Sequence, residues 1–390
     1  MRAMRLLALI IALSAGLGCA RGLHGPSINT PITPAPRSMD ELTVEERRSM
    51  LDRAQVWEPI DTEELNLLRG PEGDGNFEFD ASVTCTFDYP DKPLGGATPK
   101  FDCALKPKDI VKVKFGMSNG EVFAEVAASR LFWALGFFAD RMYPVQVTCL
   151  HCPPDPYRAS TVEWALGRPG NLATRVFDPA AIERKFDGKD IEVPTFEGWS
   201  WRELEDVADN GVGAPRAQID ALKLLAAFIQ HVDSKPENQA LVCADGAVGR
   251  DEDGNATCER PLLLIKDLGS AFAAASRMRF VKMSLASWRS VGIWRDARAC
   301  RAELISSFIG TLAHPLISEA GRQFLAERLS LLSDDQIRDM FAASRVERRN
   351  EMMDGRRVTL DDWVRVFKAK RDQIVNHSCP SGRASRGRRR

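Results

Sequence analysis

The sequence lacks a marked excess of charge of either sign. Its 390 residues contain 53 Lys and Arg against 54 Asp and Glu, so the formal net charge is −1. Proteins that bind nucleic acid through bulk charge carry a clear positive excess, and we therefore expect no nucleic-acid partner. Hydrophobic residues at 44% and charged residues at 27% exclude a wholly disordered or collagen-like chain. The length indicates two domains or one large two-lobed unit.

Long apolar segments are also scarce, and the one that could enter a membrane lies at the N-terminus. Arg2 and Arg5 precede an apolar run over residues 6–15, which is too short to span a bilayer. Small residues follow, as is typical of a secretory signal peptide over residues 1–19. Two interpretations stay open, namely cleavage after Ala20 or lipidation of Cys19 in an imperfect bacterial lipoprotein box. Both predict an exported protein (periplasmic, outer-membrane lipoprotein or extracellular), and the second adds a membrane tether.

A second CxxC motif is missing, so Cys149 and Cys152 are poor candidates for a structural zinc site. Of the nine cysteines, eight remain once Cys19 is removed or lipidated. An even number is typical of an oxidising compartment. Parity and spacing predict the disulfides Cys85–Cys103, Cys149–Cys152, Cys243–Cys258 and Cys300–Cys379.

The order of the segments predicts a sheet-rich part followed by a helical part. Residues 20–60 combine a proline-rich tether with a short helix that begins at the capping box of Thr43 and Glu46. The alternation of apolar and polar residues predicts antiparallel strands at 83–87, 100–105 and 109–115. Helices are predicted at 121–135, near 201–208, at 217–230, after the capping box of Ser333 and Gln336, and from Thr359 to about residue 374. Residues 244–257 are predicted to be a loop, and 380–390 a basic disordered tail.

The most informative segment is 231–238, with the sequence HVDSKPEN. An apolar helix ends there, and a polar loop then presents Asp233, Lys235 and Asn238. Downstream, the apolar strand predicted at 262–266 leads directly into Asp267, Leu268 and Gly269.

A lysine and a glutamate precede this segment on neighbouring elements. Lys114 lies at the end of the predicted strand 109–115, and Glu125 lies on the helix that follows. Lys112 is an alternative to Lys114, because alternate residues of a strand share one face. Glu121 is likewise an alternative to Glu125, because it lies one helical turn away.

These segments resemble the motifs of the protein-kinase-like superfamily. Residues 231–238 are similar to the catalytic loop H-R-D-L-K-P-E-N, and residues 267–269 are similar to the metal-binding D-F-G turn. The stretch 124–137 is closer to atypical branches, and resembles the secretory-pathway Golgi kinases and the phosphoinositide-type lipid kinases. The resemblance implies an α+β, two-lobed kinase-like fold, with an antiparallel-sheet N-lobe at 61–165 and a mostly helical C-lobe at 166–379.

The resemblance also implies roles in phosphoryl transfer from ATP with Mg²⁺ or Mn²⁺. Asp233 would orient the acceptor hydroxyl and take its proton, and Lys235 would neutralise the phosphoryl group in transfer. Asn238 and Asp267 would hold the metal ion, which prefers hard oxygen ligands. Within the catalytic loop Val232 replaces the family's Arg, and this departure argues against control by a phosphorylated activation loop.

The implied nucleotide contacts lie upstream. Lys114 would contact the nucleotide phosphates, and Glu125 would fix the direction of its side chain. The backbone N–H groups of Gly95 and Gly96 would approach the phosphates, although a plain hairpin turn after Pro93 explains the two glycines equally well.

Three functions are consistent with this pattern. The first is an exported phosphotransferase that acts on an unidentified hydroxyl-bearing acceptor. The second is a catalytically silent pseudokinase that serves as a binding or scaffold lipoprotein. The third is transfer of another group, such as AMP, from the same nucleotide, because a kinase-like fold does not fix the chemistry.

Overall fold

The structure, a computed structural model, describes residues 36–73, 75–274 and 283–380. The predicted signal peptide, Cys19, the first part of the tether and the basic tail from residue 381 onward lie outside the described residues. Within the described ranges, no helix has the length and apolar character that crossing a membrane requires.

The five longest strands lie before residue 185, and six of the nine α-helices in the described residues lie after residue 200. The strands are β1 (Ala81–Asp88), β2 (Lys100–Lys106), β3 (Asp109–Phe115), β4 (Arg141–Cys152), β5 (Ala173–Arg184), β6 (Gly188–Asp190), β7 (Gln239–Ala244), β8 (Val248–Arg250), β9 (Ala256–Cys258), β10 (Pro261–Ile265), β11 (Trp294–Asp296), β12 (Arg301–Ala302), β13 (Met352–Met353) and β14 (Arg356–Arg357). The α-helices are α1 (Val44–Leu51), α2 (Glu121–Ala134), α3 (Pro156–Ser160), α4 (Glu203–Asn210), α5 (Arg216–Ile229), α6 (Leu285–Ser290), α7 (Glu319–Ser330), α8 (Asp334–Ala343) and α9 (Leu360–Val375).

Strands β1 to β5 form a closed barrel in the order β1-β2-β3-β5-β4. Neighbouring strands are antiparallel except for β1 and β4, which are parallel. Because alternate residues of a strand point to opposite faces, Val111 and Val113 of β3 pack with Phe101 and Val145 in the barrel core. The three predicted strands are confirmed as β1, β2 and β3.

The other face of β2, β3 and β5 is charged. Lys112 and Lys114 alternate with the buried valines of β3. The strand register places Lys100 of β2 opposite Lys114. It also places Glu183 of β5 opposite Lys112. This charged face points away from the barrel core.

Helix α2 is buried on nearly all sides between the barrel and the helical lobe. Its last carbonyl groups have no partner within the helix, and the N-terminal segment supplies donors for them. The indole N–H of Trp57 donates to Leu135 O at 2.7 Å, and the hydroxyl of Thr62 donates to Ala134 O at 2.8 Å. The segment after α1 therefore belongs to the folded body and is not a free tether.

The C-terminal lobe is mostly helical, and it encloses the largest hydrophobic core. Helix α5 is apolar and buried, and it packs against α7, which in turn packs against α9. The capping boxes predicted at Thr43 and Ser333 and the cap predicted at Thr359 all begin helices. The predicted α+β class with two lobes is thus confirmed, because a sheet lobe precedes a mostly helical lobe.

All four predicted disulfides are present. Cys85–Cys103 joins β1 to β2, and Cys243–Cys258 joins β7 to β9. Cys149–Cys152 closes the end of β4. Cys300–Cys379 connects the residue before β12 to the chain after α9.

Three local features differ from the expectations. Strand β5 belongs to the barrel, so the sheet lobe extends past the lobe boundary predicted at residue 165. The segment 244–257, predicted to be a loop, contains β8 and the start of β9, which pair as a hairpin. Residues 36–60 pack on the helical lobe through buried side chains such as Met39, Leu51 and Val56.

Candidate active site

The ammonium group of Lys114 lies at the centre of the charged face. Its Nζ is 2.6 Å from Glu125 Oε2, 3.3 Å from Glu121 Oε2 and 3.6 Å from Asp267 Oδ1. The predicted proximity of Lys114, Glu125 and Asp267 is therefore confirmed. The alternative Glu121 lies in the same cluster, because it begins α2 one turn before Glu125.

Burial and charge act against each other in this cluster. Burial alone would lower the pKa of Lys114, but the carboxylates of Asp267, Glu125 and Glu121 outweigh it and raise that pKa. Burial raises the pKa of Glu125, and Asp267 adds to the effect by repulsion. At Asp267 burial is outweighed by the charge of Lys114 and a hydrogen bond from the Gly269 N–H, which lower its pKa. One ammonium group thus faces more carboxylate charge than it neutralises.

The alternative lysine, Lys112, has a different partner. Its Nζ donates to Glu183 Oε1 at 2.9 Å, directly across the β3–β5 pair. The negative charge of Glu183 raises the pKa of Lys112. Lys112 is therefore bound to the sheet, whereas Lys114 reaches α2 and Asp267.

The loop between β1 and β2 lies over the same end of the charged face. Gly96 has a φ of +86°, and a Cβ at this position would lie 2.5 Å from Lys100 Nζ. Gly95 has open space around it. The hydroxyl of Thr98 donates to Glu121 Oε2 at 2.8 Å. The structure thus brings the predicted glycine pair beside the Lys114 cluster, with only Gly96 under a steric requirement.

The loop at 231–238 follows α5, which ends at Gln230 in a left-handed conformation. The side-chain amide of Asn238 donates to Asp233 O at 2.7 Å and so fixes the loop. Lys235 Nζ lies 3.9 Å from Asp233 Oδ2. The backbone N–H groups of Lys266 and Asp267 both donate to Asn238 O, at 2.8 and 3.3 Å. Asp233, Lys235, Asn238 and Asp267 are therefore parts of one hydrogen-bonded unit.

Asp267 leaves β10 at the edge of the interlobe cleft. Its side chain is 34% exposed, in contrast to the fully enclosed Lys114 and Glu125. The backbone N–H of Asp140 donates to Ile265 O at 3.1 Å, and Ala139 bridges to Ile265. These bonds tie the strand that carries Asp267 to the start of β4 in the barrel lobe.

A pocket of about 280 Å³ lies beside β7 and β10. Val242 of β7 and Leu264 of β10 supply apolar wall, and Phe186 comes from the segment that joins the lobes. Lys266, the neighbour of Asp267 in the chain, lines the same pocket. Charged side chains such as Lys185, Glu192 and Glu197 make up much of the remaining lining, so the pocket is mainly polar with a small apolar wall.

Asp140 also lines this pocket and is buried. Its Oδ1 accepts a hydrogen bond from the Phe186 N–H at 2.8 Å. Burial, followed by repulsion from Glu183, raises the pKa of Asp140 to about 7. Nothing in the local sequence of Asp140 indicates that it faces the pocket.

Two further residues of the site were missed for the same kind of reason. Ser307 Oγ donates to Asp233 Oδ1 at 3.3 Å from a loop far along the chain. Lys100 lies opposite Lys114, but a bulge between Ala104 and Lys106 shifts the β2–β3 register by one residue. Counting back from the two-residue turn would therefore have placed Phe101 opposite Lys114. Only the alternation of charged residues on β2 and β3 hinted at a shared face.

Comparison with known proteins gives little further information. No family model matches the chain, and no curated protein matches it. Among solved structures, the crystal structure of the Helicobacter pylori proinflammatory kinase CtkA aligns with 77% of this chain and 95% of its own, at 11% sequence identity and a TM-score of 0.36.

Proposed function

We propose that the protein is a kinase-like phosphotransferase that moves a phosphoryl group from a nucleoside triphosphate, ATP in the first instance, to a hydroxyl-bearing acceptor. The observation that carries this proposal is the position of Lys114 Nζ, which lies 2.6 Å from Glu125 on α2 and 3.6 Å from Asp267 after β10. A lysine on a strand, a glutamate on a helix and an aspartate from the other lobe converge at one point. Such a cluster of charges in a cleft is typical of functional sites.

The donor groups suit a divalent metal ion such as Mg²⁺ or Mn²⁺. Carboxylate oxygens of Glu121, Glu125 and Asp267 lie within 4.8 Å of one another, and among the described residues only Lys114 forms ion pairs with them. Asp267, which is the most exposed, and the carbonyl oxygen of the Asn238 side chain are the hard ligands that would hold the ion. When bound, the ion would neutralise charge on the phosphate chain.

The acceptor would meet Asp233. The carboxylate Oδ1 of Asp233 already accepts a hydroxyl hydrogen bond, from Ser307, and so can receive one from a substrate. In the transfer step the acceptor hydroxyl gives its proton to Asp233 while its oxygen attacks the terminal phosphorus, and the bond from that phosphorus to the nucleoside diphosphate breaks. Lys235, 3.9 Å from Asp233, supplies positive charge at this end of the cleft.

We further propose that the protein is exported. The described chain contains four disulfides, which persist in oxidising compartments and are rare in a reducing cytosol. A lipid tether through Cys19 is part of this proposal.

Label transfer from ATP distinguishes the candidate functions. The chain is incubated with Mg²⁺ or Mn²⁺ and with ATP labelled at the γ or at the α phosphate. We expect γ label in protein or in an added acceptor mixture, and at least a hundredfold slower transfer in Asp233→Asn, because general-base catalysis contributes about 10²–10⁴-fold. Transfer of α label would instead indicate nucleotidyl transfer. Nucleotide binding without transfer of either label to any acceptor would favour the pseudokinase.

A further inference from the structure

A second lysine, Lys100, lies beside Lys114, and it has no hydrogen-bond or ion-pair partner among the residues that the structure describes. Lys100 is 8% exposed, yet its ammonium group makes no hydrogen bond or ion pair with any residue that the structure describes. The other described lysines that are buried to this degree all have one. Lys114 pairs with Glu125, Lys223 pairs with Glu205, and Lys370 donates to Val291 O.

A largely buried ammonium group without a counter-ion at ion-pair distance is costly, because it has lost part of its hydration without gaining an ion pair. Burial lowers the pKa of Lys100, and the positive charge of Lys114 lowers it further. Glu121 and Asp267 attract Lys100 only from beyond ion-pair distance. The ammonium group of Lys100 therefore destabilises the ligand-free protein, and a bound anion would compensate its charge.

The surroundings indicate where that anion would lie. Lys100 Nζ is directly under Gly96, whose backbone leaves room for it, since a Cβ there would lie 2.5 Å away. Lys100 also stands opposite Lys114 in the register of β2 and β3. Lys114 shares its charge among Glu121, Glu125 and Asp267, so Lys100 is the free positive charge of this pair.

We propose that Lys100, together with the Gly96 backbone, is a second anchor for the phosphate chain of a nucleoside triphosphate. The site would thus use two strand lysines, of which Lys114 is held mainly by protein carboxylates and Lys100 is reserved for the ligand. A polyphosphate suits this position better than a carboxylate, because it carries several charges and can contact both lysines and the loop. This inference rests on the proposed function and extends it to a particular residue.

The test compares ATP with adenosine, which lacks phosphates. Binding constants and unfolding temperatures are measured for the full chain with Mg²⁺, as wild type, Lys100→Met, Lys100→Arg and Lys114→Met. Lys106→Met, an exposed position on the same strand, is the matched control. We expect Lys100→Met to weaken ATP binding about tenfold or more, since a charge-assisted hydrogen bond is lost. Adenosine binding should not change, Lys100→Arg should recover part of the ATP affinity, and Lys106→Met should behave as wild type.

The stability of the ligand-free protein shows independently whether Lys100 is a ligand-binding or a structural residue. Because Lys100 has no hydrogen-bond or ion-pair partner among the described residues, Lys100→Met should unfold at the same temperature as wild type or at a higher one. A clear loss of ligand-free stability in both Lys100 variants would show that the lysine is structural and would overturn the inference. Wild-type ATP affinity in Lys100→Met, with loss of binding in Lys114→Met, would overturn it as well but leave the proposed function intact. Failure of the wild type to bind ATP, with or without metal, would overturn both.

Discussion

Lys114 lies at the centre of the candidate site, and its burial gives it a structural role as well. Its side chain is 1% exposed and contacts the equally buried Glu125. Replacing it with Met removes the only cation in ion-pair contact with that carboxylate among the described residues. Removing one partner of a buried pair costs about 3–5 kcal/mol of the free energy of unfolding. Lys114→Met should therefore be less stable than wild type, even if the main role of this lysine is to bind a ligand.

The stability that Lys114→Met loses should depend on pH because of Glu125. Burial already raises the pKa of Glu125, and without Lys114 no described residue in ion-pair contact favours its ionised form. A carboxyl whose pKa is raised in the folded state contributes stability at low pH and loses it as the pH rises through that pKa. The deficit of Lys114→Met against wild type in urea unfolding should thus be smaller at pH 5 than at pH 8. Equal stability of the two proteins at pH 8 would contradict the buried ion pair.

Asp140 gives a second prediction at the scale of one residue. Its pKa is about 7 in the folded chain against 3.8 ordinarily, because burial, together with Glu183, favours the neutral acid. Between about pH 4 and pH 7 the folded chain binds more protons at Asp140 than the unfolded chain does. The free energy of unfolding contributed by this group therefore falls as the pH rises across that window. Asp140→Asn should flatten this part of the stability profile.

The Asn variant is suitable because its side-chain oxygen can still accept the Phe186 N–H hydrogen bond. Glu183 repels the carboxylate, whereas Lys112 and Lys185 attract it, and all three remain in the variant. Asp190→Asn, at an exposed position in the same pocket, serves as the control. An unchanged pH slope in Asp140→Asn would show that Asp140 is ionised throughout the range.

At the scale of single elements, the loop before β2 contains two neighbouring glycines, Gly95 and Gly96, with different surroundings. Gly96 has a positive φ and lies against Lys100, whereas a Cβ at Gly95 would meet nothing within 4 Å. Gly96→Ala should weaken nucleotide binding about tenfold, because a left-handed residue and the displaced lysine together cost about 1–2 kcal/mol. Gly95→Ala, the neighbouring control, should bind as wild type. Equal effects of the two substitutions in calorimetric titration would remove the assigned role of Gly96.

Elements with strong local signals were predictable from the sequence, and those without were not. Helix α8 begins at a capping box and β3 alternates strictly, so both follow from neighbouring residues. Strands β4 and β5 contain Pro144 and Pro179, residues that disfavour an inner strand, and their pairing depends on contacts distant in sequence. The pairing of Lys100 with Lys114 depends on a bulge in β2, and no local sequence pattern predicts that bulge.

At the scale of the whole molecule, the two lobes are connected by charged side chains as well as by the backbone. Arg345, in a left-handed conformation after α8, donates to Asp80 Oδ1 at 3.0 Å and to Val145 O at 3.3 Å in the barrel lobe. Arg348 forms a two-bond pair with Asp178, at 2.6 and 2.9 Å. Helix α8 also packs against α2, the helix that carries Glu125. The C-terminal segment thus braces the pair of Glu125 and Lys114.

Motif order identified the two lobes and the principal residues of the candidate site, because each motif lies at a junction between elements. The sequence placed Asp233 and Asn238 in one loop and Asp267 at a strand end, and the backbone bonds at Asn238 O join them. The contact of Ser307 with Asp233 and the bracing by Arg345 depend on chain segments that approach only in the folded state. Sequence spacing holds no information about such contacts.

The central claim, that the cleft binds a metal–nucleotide complex through Asp267, is tested most directly by calorimetric titration of the full chain with ATP. Wild type is compared with Asp267→Asn and with Asp245→Asn, a control at an exposed acidic position of the same lobe. We predict that Mg²⁺ or Mn²⁺ strengthens ATP binding to wild type and to Asp245→Asn at least tenfold, and that Asp267→Asn loses this metal dependence, since a hard oxygen ligand is lost. No metal-dependent ATP binding by the wild type, or equal metal dependence in Asp267→Asn, would contradict the account.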